Sequence, residues 1–229
     1  MIKRKKSGEL IIISGTTCAG KGTVIDKLLE RNDNLSLSLS YTSRPIRPGE
    51  VDGVDYKFIS HEEFEEKIKN GDFLEYAKVR YGEYFGTPKE EVKKLLSTGK
   101  DVILEIDVQG AHQIKELFPE TILIFIMAPS MSEVKNRIKT RGKETKEQVL
   151  DRFITAYKEI NEIPKYNYVV VNDNLEDAVE KVEAILISEK CRVDRIEEIA
   201  VENQEEFMHE LLLEDEKEFR NDPIAEKID

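Results

Sequence analysis

Short apolar runs alternate along the first 190 residues with stretches whose apolar positions recur every three or four residues. The runs are rich in β-branched residues, which predicts buried strands, and the three-to-four spacing predicts helices. Strands are predicted at residues 9–14, 101–106, 121–127 and 168–171, and helices at 23–31, 89–97, 111–117, 132–139, 146–160 and 175–188. This alternation predicts an α/β fold, in which helices cover both faces of a parallel sheet.

One segment, from residue 37 to about residue 88, interrupts the alternation. Its turns contain several prolines and glycines, which mark changes of chain direction. A short helix is predicted at residues 62–69, between strand-like stretches at 37–41, 55–59 and 73–79. The pattern predicts an inserted lobe that is largely antiparallel.

The C-terminal end is strongly acidic. Residues 196–229 carry 13 acids and 3 bases, a net charge of −10 out of −12 for the 229-residue chain. Ile196, Ile199, Phe207 and Leu211 fall roughly on one stripe, which predicts an amphipathic helix over residues 195–219. Beyond Arg220 we expect disorder. Packing on the body, self-association and a purely solubilising role are the alternatives for this tail.

Composition excludes several classes of function. The body is nearly neutral, so nothing favours nucleic-acid binding. The longest apolar run, residues 122–128, is too short to cross a bilayer, and the basic N-terminus lacks the long apolar stretch of a secretory signal. Two cysteines, Cys18 and Cys191, do not make a disulfide framework. We expect a reduced, cytoplasmic protein with no membrane partner.

A glycine-rich loop joins the first predicted strand to the first predicted helix. Gly15 and Gly20 lie five residues apart and Lys21 follows at once, which is the G-x-x-x-x-G-K core of a phosphate-binding loop. Glycines let successive backbone N–H groups converge on a phosphate, and the helix N-terminus adds positive charge. We therefore predict that a nucleoside triphosphate is bound by Gly15, Thr16, Thr17, Cys18, Ala19, Gly20, Lys21, Gly22 and Thr23.

The loop departs from the usual pattern at one position. Gly22 stands where a hydroxyl residue usually follows the lysine, so either Thr23 or a water serves the magnesium ion. Cys18, inside the loop, either merely fits the space or forms a thiolate favoured by the helix N-terminus.

Two arginines lie on a turn stiffened by proline. Arg44 and Arg47 precede Pro45 and Pro48, so this stretch is not regular helix. Two guanidinium groups fixed close together suit a dianionic phosphate, which they bind by bidentate hydrogen bonds. The alternative is a basic turn that is merely solvated.

The run T-S-R-x-x-R-x-x-E-x-x-G-x-x-Y-x-F at residues 42–58 resembles the acceptor signature of the guanylate kinase family. The similarity continues through FLEYA at 73–77, YFGT at 84–87, ILEIDVQG at 103–110 and VND at 171–173, and covers about residues 8–190. The resemblance implies an enzyme that transfers the γ-phosphoryl group of ATP to GMP or dGMP, giving ADP and GDP or dGDP in purine nucleotide metabolism. It also implies Mg²⁺ as cofactor.

The resemblance further implies a division of the chain. A core with a five-stranded parallel sheet flanked by helices covers residues 1–36, 89–136 and 153–190. A small mixed or antiparallel GMP-binding lobe covers 37–88, a helical lid covers 137–152, and an acidic helical tail covers 191–229. Monomer and homodimer both stay open.

The resemblance also assigns roles in acceptor binding. Arg44, Arg47 and Tyr56 match positions that hold the acceptor phosphate in the family, and Ser40, Glu75, Thr87 and Asp107 match guanine-reading positions. The family usually has a tyrosine where this chain has Phe85, which lacks a hydroxyl. Tyr84 or Tyr81 is expected to supply that hydroxyl, and otherwise we expect weaker acceptor binding than in relatives with the tyrosine.

Phosphoryl transfer needs positioned cations, because the transition state spreads negative charge over the equatorial oxygens. The resemblance places Arg137, Arg141 and Arg152 on a mobile lid that closes over the phosphates, so the predicted catalytic residues are Lys21, Arg44, Arg137, Arg141 and Arg152. Asn172 is predicted to contact ATP.

Glu105 and Asp107 lie at the end of a predicted strand, on one face. They are placed to meet the magnesium shell, through water, or the acceptor nucleoside. We expect Mg²⁺ to be held mostly by phosphates and water, with no direct protein ligand assigned and Thr23, Glu105 and Asp107 as water-mediated candidates.

Two other functions compete with this one. A binding module of guanylate-kinase type would be expected to lack working loop or lid residues, whereas Lys21, Arg137, Arg141 and Arg152 are present. A phosphate-loop kinase for another phosphorylated small molecule, such as a ribosyl phosphate, would not be expected to carry the complete acceptor signature with Glu75.

Overall fold

A computed structural model describes residues 2–4, 8–79, 82–140 and 146–199 of the chain. The described residues belong to two compact units, a large one within Lys6–Ser188 and a small one formed from Met1–Lys5 and Glu189–Asp229. The strands are β1 (Ile2–Arg4), β2 (Leu10–Gly15), β3 (Leu35–Leu37), β4 (Tyr41–Thr42), β5 (Lys57–Phe58), β6 (Phe73–Lys78), β7 (Tyr84–Pro88), β8 (Asp101–Glu105), β9 (Ile122–Met127), β10 (Tyr168–Val171) and β11 (Ile196–Ile199). The α-helices are α1 (Lys21–Arg31), α2 (His61–Asn70), α3 (Lys89–Ser97), α4 (Val108–Leu117), α5 (Met131–Thr140), α6 (Lys146–Ile160) and α7 (Leu175–Glu189).

Five parallel strands form the central sheet of the large unit, in the order β10-β9-β2-β8-β3. Ile12 of the central strand β2 lies beside Leu123 and Leu104 of its two neighbours. Ile11 and Ile13 pack on one face with residues of α1 and α7, and Ile12 packs on the other face with residues of α3 and α4. Burial on both faces explains why these strands are continuous apolar runs, and the predicted α/β fold is confirmed.

A second sheet of four strands, in the order β5-β4-β7-β6, forms the lobe. The β4–β5 pair is parallel, and the β4–β7 and β6–β7 pairs are antiparallel, so the sheet is mixed. Helix α2 packs on the lobe through Phe64, whose ring stacks on Phe73 and Tyr84.

The strand prediction for residues 37–41 was wrong in one respect. Leu35–Leu37 is an edge strand of the parallel sheet, with Leu37 opposite Ile103, and a separate strand begins at Tyr41 in the lobe. Between them the buried Ser38 donates its backbone N–H to the Ile103 carbonyl at 3.0 Å. The polar residues 38–40 therefore carry the chain from one sheet to the other.

The small unit contains an antiparallel pair, β1 with β11, in which Ile2 lies opposite Ile199. The helix predicted over residues 195–219 is therefore wrong at its start, and residues 200–219 and those beyond Arg220 lie outside the described part of the chain. A short 3₁₀ turn, Val193–Arg195, precedes the strand, and Arg195 forms a 2.8 Å ion pair with Glu189. A pairing partner almost 200 residues away cannot be predicted from a pattern that considers only neighbouring residues.

No helix among the described residues is long and apolar enough to cross a membrane.

Candidate active site

A cleft of about 300 Å³ lies within the large unit. The phosphate loop contributes Gly15 and Lys21, and the end of β8 contributes Glu105 and Asp107. The remaining lining comes mainly from the lobe, with one residue from α6; it consists of Ser40, Tyr56, Glu75, Ala77, Val79, Phe85, Gly86, Ile106 and Glu159. The cleft thus brings residues predicted to contact the triphosphate together with residues predicted to contact the acceptor.

The phosphate loop has a backbone that only glycine fits at two positions. Gly15 has φ +146°, and a Cβ there would lie 1.9 Å from the Ile126 carbonyl oxygen. Gly20 has φ +84°, and a Cβ there would lie 2.6 Å from Nδ2 of Asn172. The same Asn172 Nδ2 donates a 2.7 Å hydrogen bond to the Ala19 carbonyl, so Asn172 helps to hold the loop in place.

Lys21 is folded against its own loop. Its Nζ donates to the carbonyl oxygens of Gly15, at 3.1 Å, and Thr16, at 3.3 Å. This holds the ammonium group at the cleft wall, where it can reach a bound phosphate. Thr23 lies exposed in the first turn of α1 and is not part of the cleft lining.

Cys18 adopts a left-handed backbone conformation, with φ +59°, which is costly for a residue with a side chain. It packs partly buried against an apolar cluster of Ala128, Val134, Ile138 and Ala156. The cluster joins the loop to helices α5 and α6.

Glu159, in the last turn of α6, also touches the loop. Its Oε2 accepts a 3.0 Å hydrogen bond from the backbone N–H of Thr17. Burial raises the pKa of Glu159, against the opposing effects of Lys21 and of the Thr17 N–H. Sequence reasoning missed this residue, because a glutamate near the end of an amphipathic helix is ordinarily solvated.

In the lobe, Glu75 and Thr87 lie directly opposite each other on β6 and β7. The Thr87 hydroxyl donates a 2.6 Å hydrogen bond to Oε1 of Glu75, and both side chains are buried. A Cβ on Gly110 would lie 2.7 Å from Oε2 of Glu75, so the glycine makes room for the carboxylate. Burial raises the pKa of Glu75 to about 7, with Thr87 lowering it and Asp107 raising it further.

Arg44 is held by Glu50, a residue of the acceptor signature. Its two terminal nitrogens donate to the two carboxylate oxygens of Glu50 at 2.7 and 2.6 Å, and its guanidinium carbon lies 5.0 Å from the Tyr56 ring centre and 5.9 Å from that of Phe85. Glu50 also accepts from the backbone N–H of Arg47, at 2.9 Å. The hydrogen bond from Arg44 lowers the pKa of Glu50, so the carboxylate stays ionised. The Arg47 side chain is exposed. Sequence reasoning placed Glu50 in the acceptor signature but did not predict that it would hold Arg44.

The predicted lid arginines are only partly described. Arg137 of α5 donates from Nε to Glu133 at 2.8 Å, and its terminal nitrogens reach the carbonyl oxygens of Asn172, at 3.1 Å, and Ala19, at 3.4 Å. Arg152 lies half-buried on α6, and Arg141 lies outside the described residues. Arg137 contacts the phosphate loop directly, through the Ala19 carbonyl.

Two carboxylates at the end of β8 face the cleft. Asp107 caps α4, because its Oδ1 accepts from the backbone N–H groups of Gln109 and Gly110 at 3.0 and 2.9 Å. Burial raises the pKa of Glu105, and the positive charge of Lys21 opposes this effect. The described residues contain no group of three or more His, Cys, Asp or Glu side chains that could cage a metal ion. Two carboxylates beside a phosphate site nevertheless fit Mg²⁺ that arrives with the nucleotide and keeps several waters.

Comparison with known proteins decides the family. A sequence model described as guanylate kinase matches residues 7–189. The chain belongs to the guanylate kinase family. It is 56% identical over 211 residues to a guanylate kinase of Clostridium perfringens, covering 92% of this chain and 97% of that one, and 57% identical over 207 residues to one of Clostridium tetani, covering 90% and 99%. The crystal structure of guanylate kinase from Anaplasma phagocytophilum superposes with a TM-score of 0.70 at 32% identity, covering 84% of this chain and 92% of that chain.

The family assignment confirms the resemblance carried by the acceptor signature and makes the chain a kinase. It also confirms the fold, since the parallel core with a mixed lobe is shared with a solved guanylate kinase. The matched range, 7–189, agrees with the range of about 8–190 inferred from the motifs.

For this guanylate kinase family member, the expectation about Tyr84 needs correction. Tyr84 is buried under α2, where its ring stacks on Phe64 and its hydroxyl lies 3.4 Å from Glu65. Phe85, the next residue, lines the cleft instead. Alternation along β7 places the side chains of positions 84 and 85 on opposite faces, so the Tyr84 hydroxyl points away from the cleft that Phe85 lines. Tyr81 lies outside the described residues.

Proposed function

We propose that this chain transfers the γ-phosphoryl group of ATP to GMP or dGMP, with Mg²⁺, giving ADP and GDP or dGDP. The observation that carries the proposal is one cleft that holds both Lys21 of the phosphate loop and the buried Glu75. The proposed substrates are cytoplasmic nucleotides, so we infer a cytoplasmic enzyme of purine nucleotide metabolism, working as a monomer or a homodimer.

The guanine base is read by the Glu75 carboxylate. Guanine presents N1–H and N2–H₂ side by side, and an ionised Glu75 accepts from both. Thr87 holds this carboxylate through its 2.6 Å hydrogen bond, while Ser40 and Asp107 lie in the same cleft and complete the polar wall. Adenine lacks the donor pair and would leave a buried charged acceptor without partners, which costs about 1–3 kcal/mol or more.

The acceptor phosphate is bound by Arg44, Arg47 and Tyr56. Glu50 orients the Arg44 guanidinium bidentately, and the aromatic rings of Tyr56, Phe58 and Phe85 lie around it. This arrangement fixes a planar cation before substrate arrives, which reduces the entropy lost on binding. Arg47 is exposed, and its side chain is therefore accessible to an incoming anion.

Transfer itself depends on positioned charge. Lys21 reaches the phosphates from the loop, and Arg137 of α5 and Arg152 of α6 stabilise the charge on the transferred group. Arg141, which lies outside the described residues, is assigned the same role by the family resemblance alone. Glu105 and Asp107 would hold Mg²⁺ through its waters, and Asn172 braces the loop that binds ATP. When bound there, Mg²⁺ would neutralise part of the charge on the phosphates. The basic side chains around the phosphates also exclude water, which protects the triphosphate from hydrolysis.

The first experiment measures ADP release with ATP and Mg²⁺ against a panel of GMP, dGMP, AMP, CMP, UMP and dTMP. We expect turnover with GMP and dGMP at a preference over AMP of about tenfold or more. Glu75→Gln should lose most of that preference, whereas Glu66→Gln on the exposed face of α2 should retain it. Folded protein that turns over none of the six would contradict the proposal and favour a binding module or a kinase for another phosphate ester.

A further inference from the structure

Glu159 makes a contact that the proposed reaction does not use. Its carboxylate accepts a 3.0 Å hydrogen bond from the backbone N–H of Thr17, inside the phosphate loop, and it lines the cleft together with Lys21. Backbone N–H groups of such loops are the donors that bind phosphate oxygens. A carboxylate oxygen bonded to one of them occupies the position of an anionic ligand.

The charges around the cleft make this contact significant. Among the described lining residues, four carboxylates (Glu75, Glu105, Asp107 and Glu159) face one cationic side chain, that of Lys21. Glu75 accepts a hydrogen bond from Thr87, and Asp107 caps helix α4, so each of these two carboxylates has a partner outside the phosphate loop. Glu159 is the carboxylate bonded to the loop itself. A phosphate oxygen that accepts from the Thr17 N–H would share this donor with Glu159 or displace Glu159.

We propose that Glu159 is a resident anion of the phosphate loop, which accepts the Thr17 hydrogen bond in the empty enzyme and yields it to a phosphate oxygen of the donor nucleotide. The inference rests on the proposed function, because it takes the loop to be the ATP site. Glu159 is then a positioning residue: it keeps the loop N–H oriented before binding, and it lowers the affinity for the donor because it competes for that N–H.

The packing around α6 separates this role from that of a simple structural brace. Helix α6 is already held against the loop by apolar contacts, in which the buried Ala156 packs in one cluster with Ala128, Ile138 and the partly buried Cys18. These contacts do not involve the Glu159 carboxylate. Burial raises the pKa of Glu159, which means that its charge is costly in this position rather than stabilising. The bond to Thr17 can therefore be given up while the helix stays in place.

The test is the affinity of the full-length chain for inorganic tripolyphosphate, measured by calorimetric titration in the wild type, Glu159→Gln and Glu162→Gln. Glutamine keeps the shape of the side chain and removes its charge, so it competes less well for the Thr17 N–H, since charge-assisted hydrogen bonds are about twice as strong as neutral ones. Glu159→Gln should bind tripolyphosphate about tenfold more tightly and show a lower KM for ATP, with the KM for GMP unchanged. Glu162→Gln removes the same charge three residues away, where Glu162 bonds Lys165 at 2.7 Å, and should bind like the wild type.

Equal or weaker binding by Glu159→Gln would overturn the proposal and make Glu159 a brace of the loop. A measurement on the unaltered protein guards against a variant that fails to fold: the ¹³C resonance of the Glu159 carboxyl carbon should shift when tripolyphosphate is added, and an unmoved resonance also overturns the proposal. Turnover of GMP by the wild type is assayed alongside. If the wild type turns over GMP but the affinity prediction fails, the proposal for Glu159 is wrong and the proposed function stands. If the wild type does not turn over GMP, the proposed function itself fails.

Discussion

Glu75 and Thr87 lie opposite each other in the β6–β7 pair, and the Thr87 hydroxyl donates a 2.6 Å hydrogen bond to the Glu75 carboxylate. The hydroxyl uses one carboxylate oxygen and leaves capacity on the other for a ligand. Gly110 provides the space that this second oxygen needs, because a side chain there would collide with it. The pair thus presents a buried acceptor to the cleft before any base arrives.

The first prediction concerns the pH dependence of acceptor binding. Burial raises the pKa of Glu75 to about 7, and guanine binds to its ionised form. The KM for GMP should therefore fall about tenfold per pH unit as pH rises towards 7, and should level off above it. Steady-state kinetics at saturating ATP between pH 5.5 and 8.5 measure this. Ionisation of the GMP phosphate itself, with a second pKa of about 6, contributes in the same range. The Glu75→Gln variant isolates that contribution, and an identical profile in the variant would contradict the assignment.

The same carboxyl predicts how stability changes with pH. The folded-state pKa of Glu75 is raised above its ordinary value of 4.5 to about 7, so the native state prefers the protonated form. The protonated carboxyl therefore contributes about 3 kcal/mol to the free energy of unfolding below pH 4.5, and this contribution is lost as the pH rises through 7. Compared with the wild type, Glu75→Gln should gain relative stability between pH 5 and pH 8. Urea unfolding of both proteins at the two pH values measures the change, and a constant difference in unfolding free energy would refute it.

Glu50 carries the next prediction. Arg44 is 4% exposed and depends on Glu50 for two hydrogen bonds, so removal of that carboxylate leaves a buried cation without its orienting partner. Glu50→Gln should raise the KM for GMP about tenfold and leave the KM for ATP nearly unchanged. Glu66→Gln, exposed on α2 in the same lobe, is the control for loss of one charge. An equal rise in both Michaelis constants would point to general unfolding of the lobe instead.

The sequence predicted the parts of this molecule that depend on local pattern. The β-branched runs became the central strands because both faces of the sheet are buried, and the two glycines with Lys21 became the loop because only glycine fits its backbone. What it missed depends on long-range pairing: the contact between Thr17 and Glu159 joins residues 142 positions apart, and β1 pairs with a strand near residue 196. The direction in which Tyr84 faces was missed because two adjacent aromatics in a short strand give no sign of which one faces inward.

Phe85 tests that correction. Its ring lies in the cleft, with its centre 5.6 Å from that of Tyr56, so we expect a hydroxyl added there to extend towards the proposed phosphate site beside Arg44. Phe85→Tyr should lower the KM for GMP about tenfold, since a hydrogen bond to a charged group contributes about 1.5–3 kcal/mol. Tyr84→Phe should leave that KM unchanged, because the Tyr84 hydroxyl faces Glu65. If Tyr84→Phe raised the KM and Phe85→Tyr had no effect, the orientation of β7 deduced above would be wrong.

The last prediction concerns Cys18, whose backbone has φ +59°. A left-handed conformation costs a residue with a side chain about 1–2 kcal/mol, and a β-branched side chain makes it worse, whereas glycine adopts it freely. Cys18→Val should therefore lower the melting temperature by several degrees and raise the KM for ATP, because the loop must distort. Cys18→Gly should melt above Cys18→Val, although glycine forgoes the contacts that the thiol makes with Ala156 and its neighbours. Cys191→Val, at an exposed position, is the matched control and should melt like the wild type. Differential scanning calorimetry of the three variants decides the matter: if Cys18→Val and Cys18→Gly melted together, the space around the thiol rather than the backbone conformation would determine which residue the loop accepts.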